Sequence, residues 1–192
     1  NGAKKRKKWS TDQNDTGWVS FDRPYGQFCQ DHLMDRPDTV GSGEFLIWEF
    51  PLSYWMEKQG YDVSYISNVD THKNGPRLQK TKGFISIGHD EYWTYGQRDA
   101  IERARRRGVH LNFWSANEAY WAVRFEGRTM ICYKETQNIR KMERHDAWTG
   151  TFRDSRAINP RGSRPENALS GHMFVANAQR VDSLFVDGAR FG

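Results

Sequence analysis

The sequence predicts an α/β protein with an open parallel sheet flanked by helices and followed by an irregular C-terminal part. Two apolar runs with the length of buried strands, residues 83–88 and 109–114, are separated by a charged helical pattern over residues 94–107, which Gly108 ends. Strands that alternate with helices over short connections form parallel sheets with right-handed crossovers. A third observation is that ionisable residues follow the first run directly. In sheets of this kind ligands bind at the carboxyl ends of the strands, which is where these residues would lie.

Upstream of these strands the pattern predicts one strand, a loop, a helix and a second strand. Residues 18–21 have the composition of a short strand, and residues 35–43 are rich in Pro, Gly, Asp and Ser, which predicts a loop. Apolar residues recur at steps of three and four over residues 44–59 and predict a helix. Pro51 inside this pattern predicts a kink or a late helix start. The alternation over residues 61–66 predicts a strand.

The remaining segments show weaker patterns. Residues 67–82 predict mostly loop. Residues 122–125 and 129–134 flank a Glu-Gly-Arg turn and predict a hairpin. Residues 138–166, dominated by Arg, Asn, Gly and Pro, predict irregular structure, and residues 170–175 predict a late strand.

Length and composition predict one domain over residues 17–192, preceded by a basic disordered tail or linker over residues 1–16. A chain of 192 residues suits a single core, and 28% charged against 36% hydrophobic residues indicates a polar, soluble protein. The start at Asn1, without Met, indicates a mature form or a fragment of a longer chain. No apolar run approaches the roughly 20 residues of a membrane span, so no membrane partner is expected, and the compartment stays open.

A basic run over residues 4–8 accounts for the formal net charge of +5 and leaves the rest of the chain near neutral. Such a run can bind nucleic acid or an anionic surface; the alternative is a solvated tail. No RRM, KH or zinc-finger pattern accompanies it. Nucleic acid is therefore not the expected partner.

The first candidate site is the corner that follows residues 83–88. His89, Asp90 and Glu91 come directly after Gly88. Their side chains can bind a metal or transfer protons, and functional residues concentrate on such loops. The alternative is that Asp90 or Glu91 caps the next helix, although capping alone does not call for His89.

A second polar corner, residues 115–121, follows the next predicted strand. If the two strands are adjacent and parallel, both corners open at one sheet edge, and His89, Glu91 and Asn117 converge there. The alternative is that Ser115 and Asn117 cap a following helix.

Four aromatic residues within the two corners are candidates for a pocket wall that contacts the substrate and excludes water. They are Tyr92, Trp93, Tyr120 and Trp121. The alternative for each is ordinary core packing.

Five motifs occur in order along the chain and carry a resemblance to a known family. They are Ser-Phe-Asp-Arg-Pro-Tyr at 20–25, Gly-Tyr-Asp-Val-Ser-Tyr at 60–65, Gly-His-Asp-Glu-Tyr-Trp at 88–93, Ser-Ala-Asn-Glu-Ala-Tyr-Trp at 115–121 and Arg-Pro-Glu-Asn-Ala-Leu at 164–169. Together they resemble the N,N-dimethylformamidase large-subunit family and its bacterial relatives. The resemblance extends from about Trp18 to the C-terminus.

The resemblance implies an open α/β sheet of the flavodoxin and class I glutamine-amidotransferase type, and a mononuclear iron that hydrolyses a small amide. In that family two tyrosines and one glutamate hold the iron. The glutamate matches Glu91, the active-site histidine His89 and the active-site asparagine Asn117. Glu166 is a candidate for a further acidic residue. An additional subunit or upstream domains are also implied.

Two features of this chain depart from what the resemblance implies. The tyrosine ligands of the family lie upstream of the Asp-Arg-Pro segment at 22–24, where this chain has a basic stretch without tyrosine. The metal shell therefore looks incomplete. An amidotransferase fold carries a cysteine nucleophile at this corner, but neither Cys29 nor Cys132 lies there, so thiol catalysis is not expected. A Cys29–Cys132 disulfide and two buried thiols both stay open.

The sequence thus favours an iron-dependent amidohydrolase-like domain. Glu91 would bind the metal, His89 would transfer protons and Asn117 would orient the substrate carbonyl. The alternative is a catalytically inactive module of the same fold that binds a small polar ligand or a sugar in the same pocket.

Overall fold

A computed structural model describes residues 17–22, 45–137 and 147–175. The predicted basic tail at 1–16, the predicted loop at 35–43 and Cys29 lie outside this part of the chain. The described residues form a mixed α/β structure whose strands pair both parallel and antiparallel.

Within the described ranges, six strands form two sheets. In chain order they are β1 (Trp18–Ser20), β2 (Gly83–His89), β3 (Tyr92–Thr94), β4 (His110–Ala116), β5 (Trp121–Glu126) and β6 (Thr129–Ile131). Strands β2 and β4 form a parallel pair, and the second sheet has the order β1-β6-β5-β3. Within it β3 and β5 are parallel, whereas β6 is antiparallel to both β5 and β1. The expected single open parallel sheet is therefore corrected to two smaller sheets, one of them mixed.

The helices are short except for one. They are α1 (Phe50–Lys58), α2 (Asn68–Asn74), α3 (Tyr95–Arg106) and α4 (Asn167–Ser170), with a π-helical turn at Phe45–Glu49 and a 3-10 helix at Gly75–Lys80. None of the helices among the described residues is long and apolar enough to span a membrane.

Helix α3 forms where the charged pattern predicts it, between two matched ends. The Thr94 hydroxyl accepts a hydrogen bond from the Gln97 amide at 3.0 Å and so caps the first turn. Gly108 adopts φ +89° directly after the last turn, a conformation that favours glycine. The last turn is rich in arginine, which complements the negative end of the helix dipole. The predicted crossover between β2 and β4 is confirmed.

The predictions for the upstream segments are partly wrong. Pro51 lies in the first turn of α1, which confirms a late helix start. The predicted strand over residues 61–66 is wrong, because that segment has no ladder partner among the described residues and Tyr65 donates a hydrogen bond back to Glu57 of α1. The predicted loop over residues 67–82 is also wrong. It holds α2 and the 3-10 helix, and α2 begins at a Ser67 cap.

The C-terminal predictions divide in the same way. The hairpin of β5 and β6 is confirmed, and residues 147–166 are irregular as expected. The strand predicted over residues 170–175 is wrong. Gly171 ends α4 with φ +84°, and the carbonyl of Phe174 accepts a hydrogen bond from the Arg153 side chain instead of from a neighbouring strand.

The main core lies where α3, β3, β5 and the irregular segment 148–152 meet. Trp93, Ile101 and Phe152 have no exposed surface there. Leu111 and Phe113 of β4 pack against the same cluster from one face of the β2–β4 pair. The core therefore anchors the strands whose carboxyl ends carry the two polar corners.

Candidate functional site

The two polar corners open at the same edge of the β2–β4 pair. The strands are parallel, and their register places Gly88 opposite Ser115 and His89 opposite Ala116. Asn117 is the next residue along that edge. The adjacency expected from the sequence is thus confirmed for the backbone of His89 and Asn117, and the His89 side chain is exposed.

Both capping alternatives are wrong. The cap of α3 is Thr94, four residues beyond Asp90. Asn117 does not begin a helix, because the chain turns directly from β4 into β5. Asn117 itself adopts φ +56°, a left-handed conformation that side-chain-bearing residues adopt mainly in turns and at functional sites.

The first corner is packed closely by the π-helical turn at Phe45–Glu49. Gly88 adopts φ +77°, and a Cβ there would lie 3.2 Å from the Trp48 Cβ and 3.4 Å from a Glu49 carboxylate oxygen. The Trp48 ring meets the His89 ring edge to face, with the centroids 5.9 Å apart. Glycine therefore allows the turn to approach, and Trp48 fixes one side of the imidazole.

Asp90 lies beneath this edge and points into the protein. Its two carboxylate oxygens accept hydrogen bonds from the Asn68 amide and the Ser86 hydroxyl, each at 2.8 Å. Burial raises the pKa of Asp90, and these two hydrogen bonds oppose the rise. The contacts tie the turn between β2 and β3 to α2 on one side and to β2 on the other.

Polar contacts continue from Asp90 to the second corner. The Ser86 and Ser115 hydroxyls are 3.4 Å apart, and Ser115 donates to Glu118 at 3.3 Å. Glu118 is buried, and its other oxygen lies 2.6 Å from His172 Nε2. The two corners are therefore connected by side chains as well as by the sheet, and the negative charge of Glu118 adds to the rise in the Asp90 pKa.

We expect Asp90→Asn to stabilise the protein at neutral pH. Because burial raises the folded-state pKa of Asp90 above its usual value, the folded state binds more protons than the unfolded state between those two values, and stability falls as pH rises through that window. Asparagine keeps the shape of the side chain but cannot ionise, so it removes the loss of stability that ionisation of Asp90 causes. The free energy of unfolding of the variant should therefore exceed that of the wild type at pH 7 and vary less with pH. Urea denaturation at pH 4, 5.5 and 7 measures it, with the exposed Asp62→Asn as control. A less stable variant at pH 7 would contradict the expectation.

Glu91 is half buried at the start of the second sheet. Its carbonyl accepts a hydrogen bond from the Trp121 amide at 2.8 Å, and the next residue, Tyr92, lies opposite Trp121 in the β3–β5 pair. The ammonium of Lys134 lies over both rings, 5.6 Å from the Tyr92 centroid and 5.1 Å from the Trp121 centroid. Glu91 thus belongs to a group of aromatic and charged side chains at the beginning of β3 and β5.

The four aromatic candidates have different surroundings. Trp93 has no exposed surface and lies in the main core, and Trp121 is 4% exposed. Tyr92 and Tyr120 are half buried. The two tyrosines are therefore the members of this set that present an accessible ring at the candidate site.

Glu166 is buried and forms an ion pair with the half-buried Arg153. The guanidinium of Arg153 donates to both of its oxygens, with 3.1 Å from Nε to each, and also lies 4.9 Å from the centroid of the Tyr120 ring. Glu166 is 2% exposed. Arg153 therefore connects the Glu166 carboxylate to Tyr120, which lies in the second corner.

The described residues do not by themselves form a metal shell. Among residues 17–22, 45–137 and 147–175, no three His, Cys, Asp or Glu side chains are grouped so that they could hold a metal ion. Cys132 is a free thiol in this part of the chain, and burial raises its pKa to about 11. That pKa keeps the sulfur protonated and makes it a poor ligand or nucleophile.

Sequence reasoning missed Glu118, His172 and Lys134. Glu118 stands inside the second motif, and its proximity to Asp90 could have been inferred from the parallel pairing. His172 and Lys134 reach the site from irregular segments, so no periodic pattern marks them. In the described part of the chain, the non-glycine residues with positive φ are Asn117, Ala119 and Lys134, all of them beside the candidate site.

Comparison with known proteins is consistent with the motifs. A family model described as "N,N-dimethylformamidase beta subunit-like, C-terminal" matches residues 2–190. No curated protein matches the chain significantly.

Proposed function

Since this chain belongs to the N,N-dimethylformamidase beta subunit-like family, in the part described as C-terminal, we propose that it is a domain of an enzyme that hydrolyses the C–N bond of a small amide. The name of the family supports a hydrolase-related role. We also propose a small amide as the substrate and a glutamine-amidotransferase-like fold.

One observation supports the assignment of the proposed function to particular residues. The parallel pairing of β2 and β4 brings the backbone of His89 and Asn117 to one edge, in a chain whose family match extends over almost its whole length. A proton-transfer group and an amide hydrogen-bond donor at one edge are the two kinds of group that hydrolysis of an amide needs.

The roles follow from the chemistry of the side chains. The Asn117 side chain donates a hydrogen bond to the carbonyl oxygen and stabilises the negative charge that develops there. His89 accepts a proton from the attacking water and returns one to the nitrogen as the C–N bond breaks. Tyr92 and Tyr120 border the substrate, and Glu166 positions Tyr120 through Arg153.

Iron and a partner subunit complete the proposal. Glu91 is the side chain of this chain that would contribute a hard oxygen ligand, and a bound ferric ion would supply Lewis-acid activation of water or carbonyl. The remaining ligands would come from outside the described residues. The description "beta subunit-like" refers to an enzyme of more than one subunit, and we propose that this domain functions with a further subunit.

We expect the purified protein to contain iron close to one equivalent and to lose it in Glu91→Ala. The measurement is elemental analysis by mass spectrometry, paired with amine release from N,N-dimethylformamide and other small amides. Glu126→Ala removes an exposed glutamate of the hairpin and should leave both unchanged. Iron that persists in Glu91→Ala would refute the ligand assignment. Binding of amides without any release of amine would refute hydrolysis and favour the inactive binding module.

A further inference from the structure

The turn between β4 and β5 carries Asn117 in an unfavourable backbone conformation. Asn117 adopts φ +56° and Ala119 adopts φ +52°, so two residues with side chains lie in the left-handed region within three positions. Ala119 is the more costly of the two, because asparagine tolerates this region better than alanine does. Such conformations persist only where surrounding contacts hold them. The contacts of this turn therefore determine where Asn117 lies.

Two sets of contacts hold the turn from within the protein. The Ala119 amide donates a hydrogen bond to the Asp90 carbonyl at 3.0 Å, and Ala119 is 1% exposed in the main core. Glu118 is 2% exposed, and the Ser115 hydroxyl donates to one of its carboxylate oxygens at 3.3 Å. A carboxylate that has lost its hydration needs strong donors. One long hydrogen bond from a neutral hydroxyl is not sufficient.

His172 provides the second contact of the Glu118 carboxylate. Its Nε2 lies 2.6 Å from the other carboxylate oxygen, and its side chain is 50% exposed. Since an ionised carboxylate can only accept hydrogen bonds, the imidazole must carry a proton on Nε2 for this contact to be favourable. His172 thus supplies, from the surface, the strong donor that Ser115 does not.

The segment that carries His172 is itself held beside the second corner. The Ser170 hydroxyl donates to the His172 carbonyl at 2.8 Å. Two residues further on, the Phe174 carbonyl accepts a hydrogen bond from the Arg153 side chain at 2.7 Å, and the Phe174 ring meets the Tyr120 ring with the centroids 6.1 Å apart. These contacts fix the segment independently of the Glu118 carboxylate, so the segment can serve as an anchor for the turn.

We propose that His172 is a positioning residue of the candidate site, which acts through Glu118 to fix the turn that carries Asn117. That turn places the backbone of Asn117 at the edge of the β2–β4 pair where His89 also lies. The inference rests on the proposed function, in which the Asn117 amide stabilises the substrate oxygen, and it adds a residue outside the five motifs. His172 acts without contacting the substrate. A misplacement of about 1 Å in such a donor can lower the rate by about 10²-fold.

Amide hydrogen exchange of Ala119, followed by NMR on the full chain, tests the hold on the turn without an assay of hydrolysis. Its hydrogen bond to the Asp90 carbonyl breaks when the turn opens. His172→Ala should raise its exchange rate about tenfold or more, the loss expected for a hydrogen bond to a charged group. The Ile101 amide of α3 should exchange as in the wild type. Unchanged exchange at Ala119, or an equal rise at both amides, overturns the inference.

His172→Gln and His172→Asn form a matched pair. Both side chains are neutral amides, but the glutamine nitrogen reaches about as far as Nε2, whereas the asparagine side chain is shorter by one methylene. Slow exchange at Ala119 should be restored by glutamine and not by asparagine. His110→Ala, at the opposite end of β4, should leave the exchange of Ala119 unchanged. Equal exchange in the glutamine and asparagine variants would count against the contact with Glu118.

The kinetics of amide hydrolysis connect the turn to the reaction. His172→Ala should lower kcat about ten- to hundredfold with KM within a few-fold of the wild type, because the weakened interaction is made with charge that develops in the transition state. Faster exchange at Ala119 in an enzyme with unchanged kcat overturns the positioning role. Faster exchange in a protein whose wild type releases no amine supports the hold of His172 on the turn and refutes hydrolysis instead.

Discussion

Replacement of His89 by alanine is expected to lower the rate of amide hydrolysis by a factor of about 10² to 10⁴, the usual contribution of a positioned general acid–base group. His89 lies at the carboxyl end of β2, is exposed, and has its ring fixed on one side by Trp48. Under the proposed function, these features allow the imidazole to contact the substrate, and its exposure means that the side chain does not contribute to the core. The loss should therefore appear in kcat, with little change in the melting temperature. Amine release under saturating substrate measures it.

The chain contains a matched control for this substitution. His110 is also exposed and lies on the same strand pair, but at the first position of β4, six residues before Ala116 and thus at the opposite end of the sheet. His110→Ala should keep wild-type activity. Equal activity of His89→Ala and wild type would remove His89 from the mechanism. Equal loss in both histidine variants would indicate that the sheet has been disturbed and not that a catalytic group has been removed.

The sequence was sufficient to place the two corners because they depend on local signals. An apolar run of strand length, a glycine and a polar cluster mark the end of β2, and the capped helix α3 with its glycine stop requires that β4 return parallel to β2. The short strand β3 was not predicted, because its three residues pair with β5, far along the chain. Alternation over residues 61–66 specifies two faces but no partner strand, and none pairs with it among the residues that the structure describes.

The sequence predicts where the carboxylates lie better than it predicts their hydrogen-bond and ion-pair partners. Asp90 and Glu166 both stand in recognisable motifs, yet the structure gives the first an interior hydrogen-bonded position and the second a half-buried arginine partner. Such partners come from α2 and from an irregular segment. Since neither element has an apolar period that would locate it relative to the sheet, sequence alone could not distinguish a free carboxylate from a paired one.

The motif at 164–169 is held against α3 by Arg98, which is 1% exposed. Its guanidinium donates to the carbonyls of Arg164 at 2.7 Å and Pro165 at 3.0 Å, and to a carboxylate oxygen of Glu102 at 3.1 Å. It also lies 5.0 Å from the centroid of the Phe152 ring in the core. One side chain therefore connects the helix, the core and the segment that carries the buried Glu166.

Arg98→Met should consequently destabilise the protein by about 3 to 6 kcal/mol, since the carbonyls of Arg164 and Pro165 each lose a hydrogen bond from a charged donor, and such bonds contribute about 1.5 to 3 kcal/mol each. Arg106→Met is the control, because Arg106 approaches the same Glu102 at 3.9 Å while its side chain is 60% exposed; such a pair contributes at most about 1 kcal/mol. Urea denaturation of both variants measures the difference. A similarly small loss of stability in both variants would mean that the 164–169 segment is held mainly by its other contacts. Arg98 would then not determine the position of Glu166.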